Sequence, residues 1–318
     1  MNETFHQSQK LTKEKMSELL KKKNQPALMR FVLLYSLFIF FSIAIIITWV
    51  GPIWLFVLCL IVYGVLCCSM FACLHETVHN TAFKTLWLNR ITAFLAGIAH
   101  IYSSTMIQEL HFTHHRHTHI PGKDPEISFG NKPIPSIVSS LPFYIVWVSG
   151  LPLYMFKNVM AIIGALGMPE FIRIKIFPFV RPQVRFKLFW NSLIVVGVQA
   201  IFILLAIYVN AGFWGLFIGQ VIGHCFLASY TSAEHTGLPN KGNIMERTRS
   251  IRASKLVSFI MWNMPYHAEH HAYPAIPFYS LPKLHELISD EIIHKDKTHK
   301  LFHWLALKKT TIGNTKLD

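Results

Sequence analysis

The chain has 318 residues and a formal net charge of +14, yet it is 52% hydrophobic, only 14% charged, and has a mean hydropathy of +0.38. A soluble domain carries about 25% charged residues, so an ordinary soluble enzyme is excluded, and apolar residues gathered in long uncharged blocks point to lipid. The five cysteines (Cys59, Cys67, Cys68, Cys73 and Cys225) sit in those blocks without a CxxC pair, which excludes a disulfide framework and reads as buried thiols.

Residues 1–27 form a basic segment, with Lys10, Lys13, Lys15, Lys21, Lys22 and Lys23, that is expected to be cytoplasmic. Four uncharged blocks of about 20 residues follow, at about 31–50, 52–74, 188–210 and 211–230, each long enough to cross a hydrocarbon core. The first is too long and begins too far in for a secretory signal peptide, and it lacks a small-residue cleavage site. Gly51-Pro52 supplies a tight turn between the first two spans. The apolar stretches at about 86–107 and 134–170 read as interfacial or re-entrant helices: the first carries Asn89, Arg90 and His100, and Pro142, Gly150 and Pro152 break the second. Keeping Arg173, Lys175, Arg181, Arg185 and Lys187 inside requires that the second not cross. Residues 291–318 form a basic cytoplasmic tail.

The expected architecture is therefore an all-α integral membrane protein, with a membrane domain at residues 28–290. Its four transmembrane helices form two hairpins, and a cytoplasmic helical cap carries the histidine-rich segments. Basic charge flanking apolar spans follows the positive-inside rule, so no nucleic-acid partner is expected. No repeat of fixed period and no low-complexity tract is present.

Histidines number 18, and many are clustered. HETVH places His75 and His79 at the end of the second span, HFTHH supplies His111, His114 and His115, and HAEHH supplies His267, His270 and His271; His235 follows the fourth span. Residues at i, i+3 and i+4 share one helix face. Adjacent histidines differ in direction by about 100°, so one HxxHH helix can serve two metals. Neutral imidazole suits zinc, copper, iron or nickel, and spacing does not choose among them. His6, His285, His294, His299 and His303 read as surface residues. His100 and His224, in apolar surroundings, read as hydrogen-bonded structural groups, and His117 and His119 stay open between surface and supporting roles.

The boxes HETVH, HFTHH and HAEHH, in this order and placement, resemble the signature of the membrane fatty acid desaturase superfamily, which includes hydroxylases and ketolases. The strings DPE (Asp124 to Glu126) and WNMPYHAEHHAYPAIPFYSLPKLH, ending at His285, add to the likeness, which covers about His75 to His285. The resemblance implies a non-haem di-iron centre held by His75, His79, His111, His114, His115, His267, His270 and His271, with His235 where related acyl desaturases have one more ligand. Thr231 stands where some relatives place an asparagine that holds a metal-bound water, and some relatives have HxxxxH as the first box. The implied reaction uses O2 and two external electrons to take hydrogen from an unactivated C–H bond of a lipid or fatty acyl substrate. No catalytic group beyond the metal centre is implied.

Glu76, Glu234 and Glu269 are expected to orient ligand imidazoles through the second ring nitrogen. Asn263 is expected either to hydrogen-bond near the third box or to cap a helix. Arg249 and Arg252 are candidates for contact with an acidic head group or an acidic electron donor, against a solvated surface as the plain alternative. The chain has no fused haem segment and no iron–sulfur cysteine pattern, so a separate ferredoxin or cytochrome donor is expected. The boxes do not separate desaturation from hydroxylation, ketolation or oxidative decarboxylation of an acyl or carotenoid chain. A haem-binding electron carrier would place facing histidines within the membrane, and a metal transporter would place polar ligands at its midplane; the clustering at span ends favours neither.

Overall fold

A computed structural model describes residues 6–312 and 317. Among these, every long element is helical, and the one β ladder is the two-residue pair Ser128–Phe129 with Lys132–Pro133. A short helix α1 (Lys13–Leu19) precedes α2 (Gln25–Thr48), which opens on Pro26, a residue pre-set for a first helical turn. Asn24, ahead of α2, exchanges hydrogen bonds with Thr85: its Oδ1 accepts from Thr85 N (3.0 Å) and its Nδ2 donates to Thr85 Oγ1 (2.9 Å). The turn at Gly51-Pro52 then starts α3 (Ile53–Val78).

Helix α3 runs four residues past its expected end at Leu74, so His75 lies within the helix and His79 is its C-cap. Hydropathy stops at the first polar residues; the backbone does not, because the last turns of α3 are buried against protein, where His75, Glu76 and Thr77 find polar partners. The apolar stretch expected as one helix at 86–107 is two. Helix α4 (Leu86–Ala99) ends in a break at residues 100–103 with Ile101 at φ +54°, and α5 (Ser104–His117) begins on Ser103, whose side chain accepts from Met106 N. The whole second histidine box therefore lies on α5. Ser104 and Thr105 donate to Asn191 Oδ1 (2.8 and 3.0 Å), and Glu109 forms a two-pronged pair with Arg181 (2.6 and 2.8 Å), which anchors α5 beside the third span.

Helices α6 (Leu141–Val148) and α7 (Leu151–Ala165) meet at a 58° bend. Pro142 and Pro152 sit in the first turns of these helices and start them; Gly150, at φ +72°, makes the bend. A Cβ at Gly150 would stand 2.1 Å from Cys225 N, so the bend fits directly onto a neighbouring backbone. Short α8 (Glu170–Ile176) leads to α9 (Arg185–Tyr208) and α10 (Trp214–His235), the latter five residues longer at its C-terminus than the expected span. The remaining helices are α11 (Ile244–Arg247), α12 (Lys255–Ile260), α13 (His267–Ala272), α14 (Leu281–Ile288) and α15 (His299–Ile312).

Four helical segments, 25–48, 53–78, 182–208 and 211–235, are long and apolar enough to cross a membrane, and the bent pair α6–α7 is either a broken span or a re-entrant loop. The most apolar windows of α3 and α10 are 56% and 50% buried, those of α2 and α9 only 17% and 22%. α3 and α10 are thus inner helices, packed on each other, while α2 lies on α3 and α9 on α7. Small residues let the inner pair approach closely: a Cβ at Gly64 would meet Ile222 at 2.6 Å, and one at Gly223 would meet Cys67 at 2.7 Å. Large side chains such as Phe40, Ile47, Trp54 and Ile207 face outward, a surface that suits lipid and not water. Four of the cysteines are buried free thiols and Cys225 is half-buried.

Replacing Gly150 with alanine combines a positive φ with a backbone clash, the first of which alone costs about 1–3 kcal/mol. Gly150→Ala is expected to lower the thermal midpoint of the detergent-purified protein; an unchanged midpoint would show that the bend is not tied to α10.

Candidate metal centre

The ends of α3 and α10, the C-terminal half of α5 and all of α13 converge, and the nine histidines expected as ligands fall into two groups. His75, His79, His111, His115 and His270 form one; His114, His235, His267 and His271 form the other, with one ring nitrogen of each within 4.8 Å of the others in its group. The groups are neighbours, since the rings of His115 and His271 stack at 4.2 Å.

Helix phase decides membership. Residues four apart diverge by only about 40° around a helix, whereas residues three apart diverge by about 60° the other way. Each i, i+4 pair stays together: His75 with His79, His111 with His115, His267 with His271. The odd member of each HxxHH box crosses over, so His114 joins the group of α13 and His270 joins that of α3 and α5. The expectation that one HxxHH helix faces two centres matches this arrangement.

The ring tautomers follow from their outer contacts. His75 Nδ1 faces Glu76 Oε1 (3.0 Å), His114 Nδ1 faces both oxygens of Asp124 (3.0 and 2.9 Å), His235 Nδ1 donates to Arg247 O (2.9 Å), and His271 Nδ1 donates to Thr118 Oγ1 (3.2 Å). In a neutral ring, a proton on Nδ1 leaves Nε2 as an acceptor. The inner nitrogens crowd together: His235 Nε2 and His267 Nε2 are 2.9 Å apart, His114 Nε2 and His271 Nε2 3.3 Å, and His79 Nε2 and His111 Nε2 2.9 Å. His75 Nε2 and His270 Nε2 are buried without a partner. A cation at each centre would satisfy these converging nitrogens together, so the donor set is compatible with bound metal.

Burial holds His79, His111, His115, His267, His270 and His271 below the ordinary imidazole range, and neighbouring imidazoles add to the effect, so these rings are neutral and competent to ligate. His114 differs: burial opposes its charge, but Asp124 and Glu126 outweigh it and raise the ring to about 9. A carboxylate on the outer nitrogen makes the inner nitrogen a stronger donor. Asp124 is itself fixed by backbone N–H groups of His119 (2.6 Å) and Glu126 (2.9 Å).

The carboxylates expected to orient imidazoles divide. Glu76 meets His75 and lies 3.9 Å from His270 Nδ1, whereas Glu234 approaches His267 Nδ1 only to 3.6 Å. Glu269 touches no box imidazole: its oxygens accept from Ser250 Oγ and face His285 Nδ1, because the turn of α13 that aims His267 and His271 inward aims Glu269 outward. Asn263 neither caps a helix nor reaches the box; it sits at φ +60° and donates to Phe278 O (2.9 Å). Thr231 turns back to Leu227 O (3.0 Å).

Arg249 is buried, not surface-facing: its Nη1 donates to Ala233 O (2.5 Å), its Nη2 to Leu317 O (2.6 Å), and its guanidinium lies over the Phe302 ring. Arg252 is exposed. His285 and His303, read as surface residues, are tied in, His303 bridging Tyr144 Oη (2.6 Å) and Ser229 O (2.9 Å); His6 contacts Glu291. His299 stacks on Tyr230, and the carbonyl of His294 accepts from Ser250 N. His119 joins neither group, and its Nδ1 meets Pro239 O (3.0 Å); His117 is half-buried.

Sequence reasoning gave no role to Asp124, Thr118, Arg247 or Lys157. Asp124 lay in the quoted DPE string, the one available signal. Arg247 closes the second group twice over, its carbonyl receiving His235 and its Nη1 donating to Thr118 O (3.0 Å). Cys67, His100 and His224 make a third convergence. There Lys157 Nζ donates to His100 Nε2 (2.6 Å) and His100 Nδ1 faces Cys67 Sγ (3.4 Å), so a fixed amine already occupies the ring and the cluster reads as a hydrogen-bonded one.

Against both groups lies a cavity of about 390 Å³, lined by His75, His111, His114 and His267 on one side and by Phe71, Leu227 and Phe156 among mainly apolar residues on the other. An α-helical frame with four helices long and apolar enough to cross a membrane, two adjacent histidine clusters compatible with a metal site and an adjoining apolar cavity together outline an enzyme site at a membrane. The family model "Fatty acid desaturase" matches residues 52–302, and the chain belongs to that family. A relative from Arabidopsis thaliana, described as "Sphingolipid delta(4)-desaturase DES1-like", is 23% identical over 249 residues, covering 77% of this chain and 67% of that protein.

Asp124→Asn keeps the shape but removes the carboxylate behind His114; metal affinity is expected to fall about 10- to 100-fold, read by chelator competition. Arg249→Ala strands buried carbonyls and is expected to cost about 3 kcal/mol of stability, whereas Arg252→Ala stays within about 0.5 kcal/mol. Equal thermal midpoints for the two would contradict the assignment of Arg249 as a clamp.

Proposed function

We propose that the nine histidines hold two non-haem iron ions, five rings on one and four on the other, and that the protein is an O2-dependent desaturase introducing a C=C bond into a fatty acyl or acyl-lipid chain. The observation that carries this reading is the division of the nine rings into two adjacent groups of converging ring nitrogens beside an apolar cavity. Both donor sets are all imidazole, which suits iron among other metals, and the resemblance of the three boxes to those of di-iron desaturases favours it. When bound, such a pair supplies O2 reduction strong enough to break an unactivated C–H bond.

The chain's own residues position and shield. Glu76, Asp124, Thr118 and the carbonyl of Arg247 fix the ring orientations. The wall of Phe71, Leu227 and Phe156 holds a flexible chain against His75 and His111 and keeps water from the reacting carbon. The substrate enters from lipid, and electrons come from a separate ferredoxin or cytochrome donor drawn by basic surface such as Arg252.

The boxes and both termini are assigned to the cytoplasm. Lys22 Nζ donates to Asn80 O (2.9 Å) beside His79, and Asn24 bonds Thr85, so the basic segment ahead of α2 lies at the same end of the molecule as the first box. The positive-inside rule then places that end inside. On this reading, residues 28–290 are the membrane domain between two basic cytoplasmic segments.

Elemental analysis of the purified protein is expected to give two irons per chain. His75→Ala/His270→Ala and His235→Ala/His267→Ala should each remove one. Expression in a host of known lipid composition, with a working donor supplied, should yield an oxygen-dependent unsaturated product that the His267→Ala/His271→Ala variant does not make. Identical lipid profiles for wild type, that variant and empty vector would overturn the desaturase reading.

A further inference from the structure

The cavity beside the histidines is not uniformly apolar, and its polar atoms are of both kinds. Lys157, on α7, is only 2% exposed; its Nζ lies 4.9 Å from the centre of the Phe71 ring and 4.8 Å from that of Tyr102, with His100 Nε2 as its hydrogen-bond acceptor. Trp147 lines the same cavity, and its Nε1–H, which can only donate, is buried with no acceptor. Glu234, 5% exposed, also lines it, and its Oε1 has no hydrogen-bond partner. Buried polar groups normally have partners. Two donors and a carboxylate on the walls of one cavity are therefore complementary to a molecule that brings both an acceptor and a donor.

We propose that this cavity receives the polar end of a long-chain lipid, and that this end is uncharged and carries a hydroxyl or amide group, accepting from Trp147 and Lys157 and donating to Glu234. The proposal names the substrate class of the desaturase reading and rests on it. A carboxylate end fits less well because it carries no hydrogen to donate to Glu234. A simple ester fits less well because it has nothing to donate to Glu234. The position also sets where oxidation falls. The Phe71 ring centre lies 6.3 Å from that of His75 and 4.9 Å from Lys157 Nζ, so the amine is within roughly 11 Å of the first box. The carbon oxidised is then close to the polar end of the chain, not close to its methyl end.

The test is competition against a fluorescent lipid by three probes with the same acyl chain: an N-acyl amino alcohol, the free fatty acid and its methyl ester. It uses the full-length, iron-loaded protein in nanodiscs under anaerobic conditions without reductant. The N-acyl amino alcohol is expected to bind about tenfold tighter than either other probe, and Trp147→Phe and Lys157→Met, which each remove a donor, are each expected to cut its affinity about three- to tenfold, with the ester, which also offers an acceptor, weakened as well. Thermal midpoints of both variants identify any that fails to fold, and the conservative Trp147→Phe exchange keeps the test usable if Lys157→Met does. Equal or tighter binding of the acid or the ester, or unchanged affinity for the N-acyl amino alcohol in the folded variants, overturns the proposal. Aerobic turnover of each probe with reductant separates the two readings. Selective binding with no unsaturated product defeats the desaturase reading, and a product formed without any binding preference defeats only this one.

Discussion

The structure is organised around the burial of nine imidazoles at one end of a helical frame. Rings from four helices turn nitrogens toward two common centres, and pairs of these nitrogens come within 2.9 to 3.3 Å. Four of the outer ring nitrogens, those of His75, His114, His235 and His271, face a carboxylate, a carbonyl or a hydroxyl, which fixes these rings with their inner nitrogens toward the centres. Under the proposed metal binding, metal affinity would become folding free energy for the end of the molecule where α3, α5, α10 and α13 meet.

Much of the remaining architecture serves that meeting. Inner helices α3 and α10 pack closely through Gly64 and Gly223, which brings His75 and His235 to the same depth. The break after α4 lets α5 lie across the end of the inner pair, and Asn191 and Arg181 hold it there. The bend at Gly150 presses the α6–α7 pair against α10 and closes the cavity beside the rings with Trp147 and Lys157. Outer helices α2 and α9 meet lipid with most of their surface and are free to be almost featureless in sequence.

Several polar residues that enter this apolar frame are tied to a partner. Arg249 clamps Ala233 and Leu317, Glu269 links Ser250 to His285, and Lys157 meets His100. A charge or strong dipole at such depth is costly unless it is satisfied, so the sites where the frame admits polarity mark where it is constrained by packing or by a ligand.

The sequence by itself determined the four apolar helices, the helical class and the candidate ligands, because hydropathy and histidine spacing are local properties: a run of Ile, Leu and Phe, or an HxxHH on one turn, carries its meaning without the rest of the chain. Span ends at Leu74 and Tyr230 were misjudged because composition cannot tell lipid from a protein interior, and it is the interior that lets α3 and α10 continue to His75 and His235. Only the tertiary structure decided that His114 and His270 change partners, that Asp124 and Arg247 support the pocket, that Glu269 faces away from it, and that Arg249 is a buried clamp. Each of these depends on which distant segment lies opposite a given side chain, such as α13 opposite α5 across more than a hundred and fifty residues, and that is fixed by packing, not by neighbours in the chain.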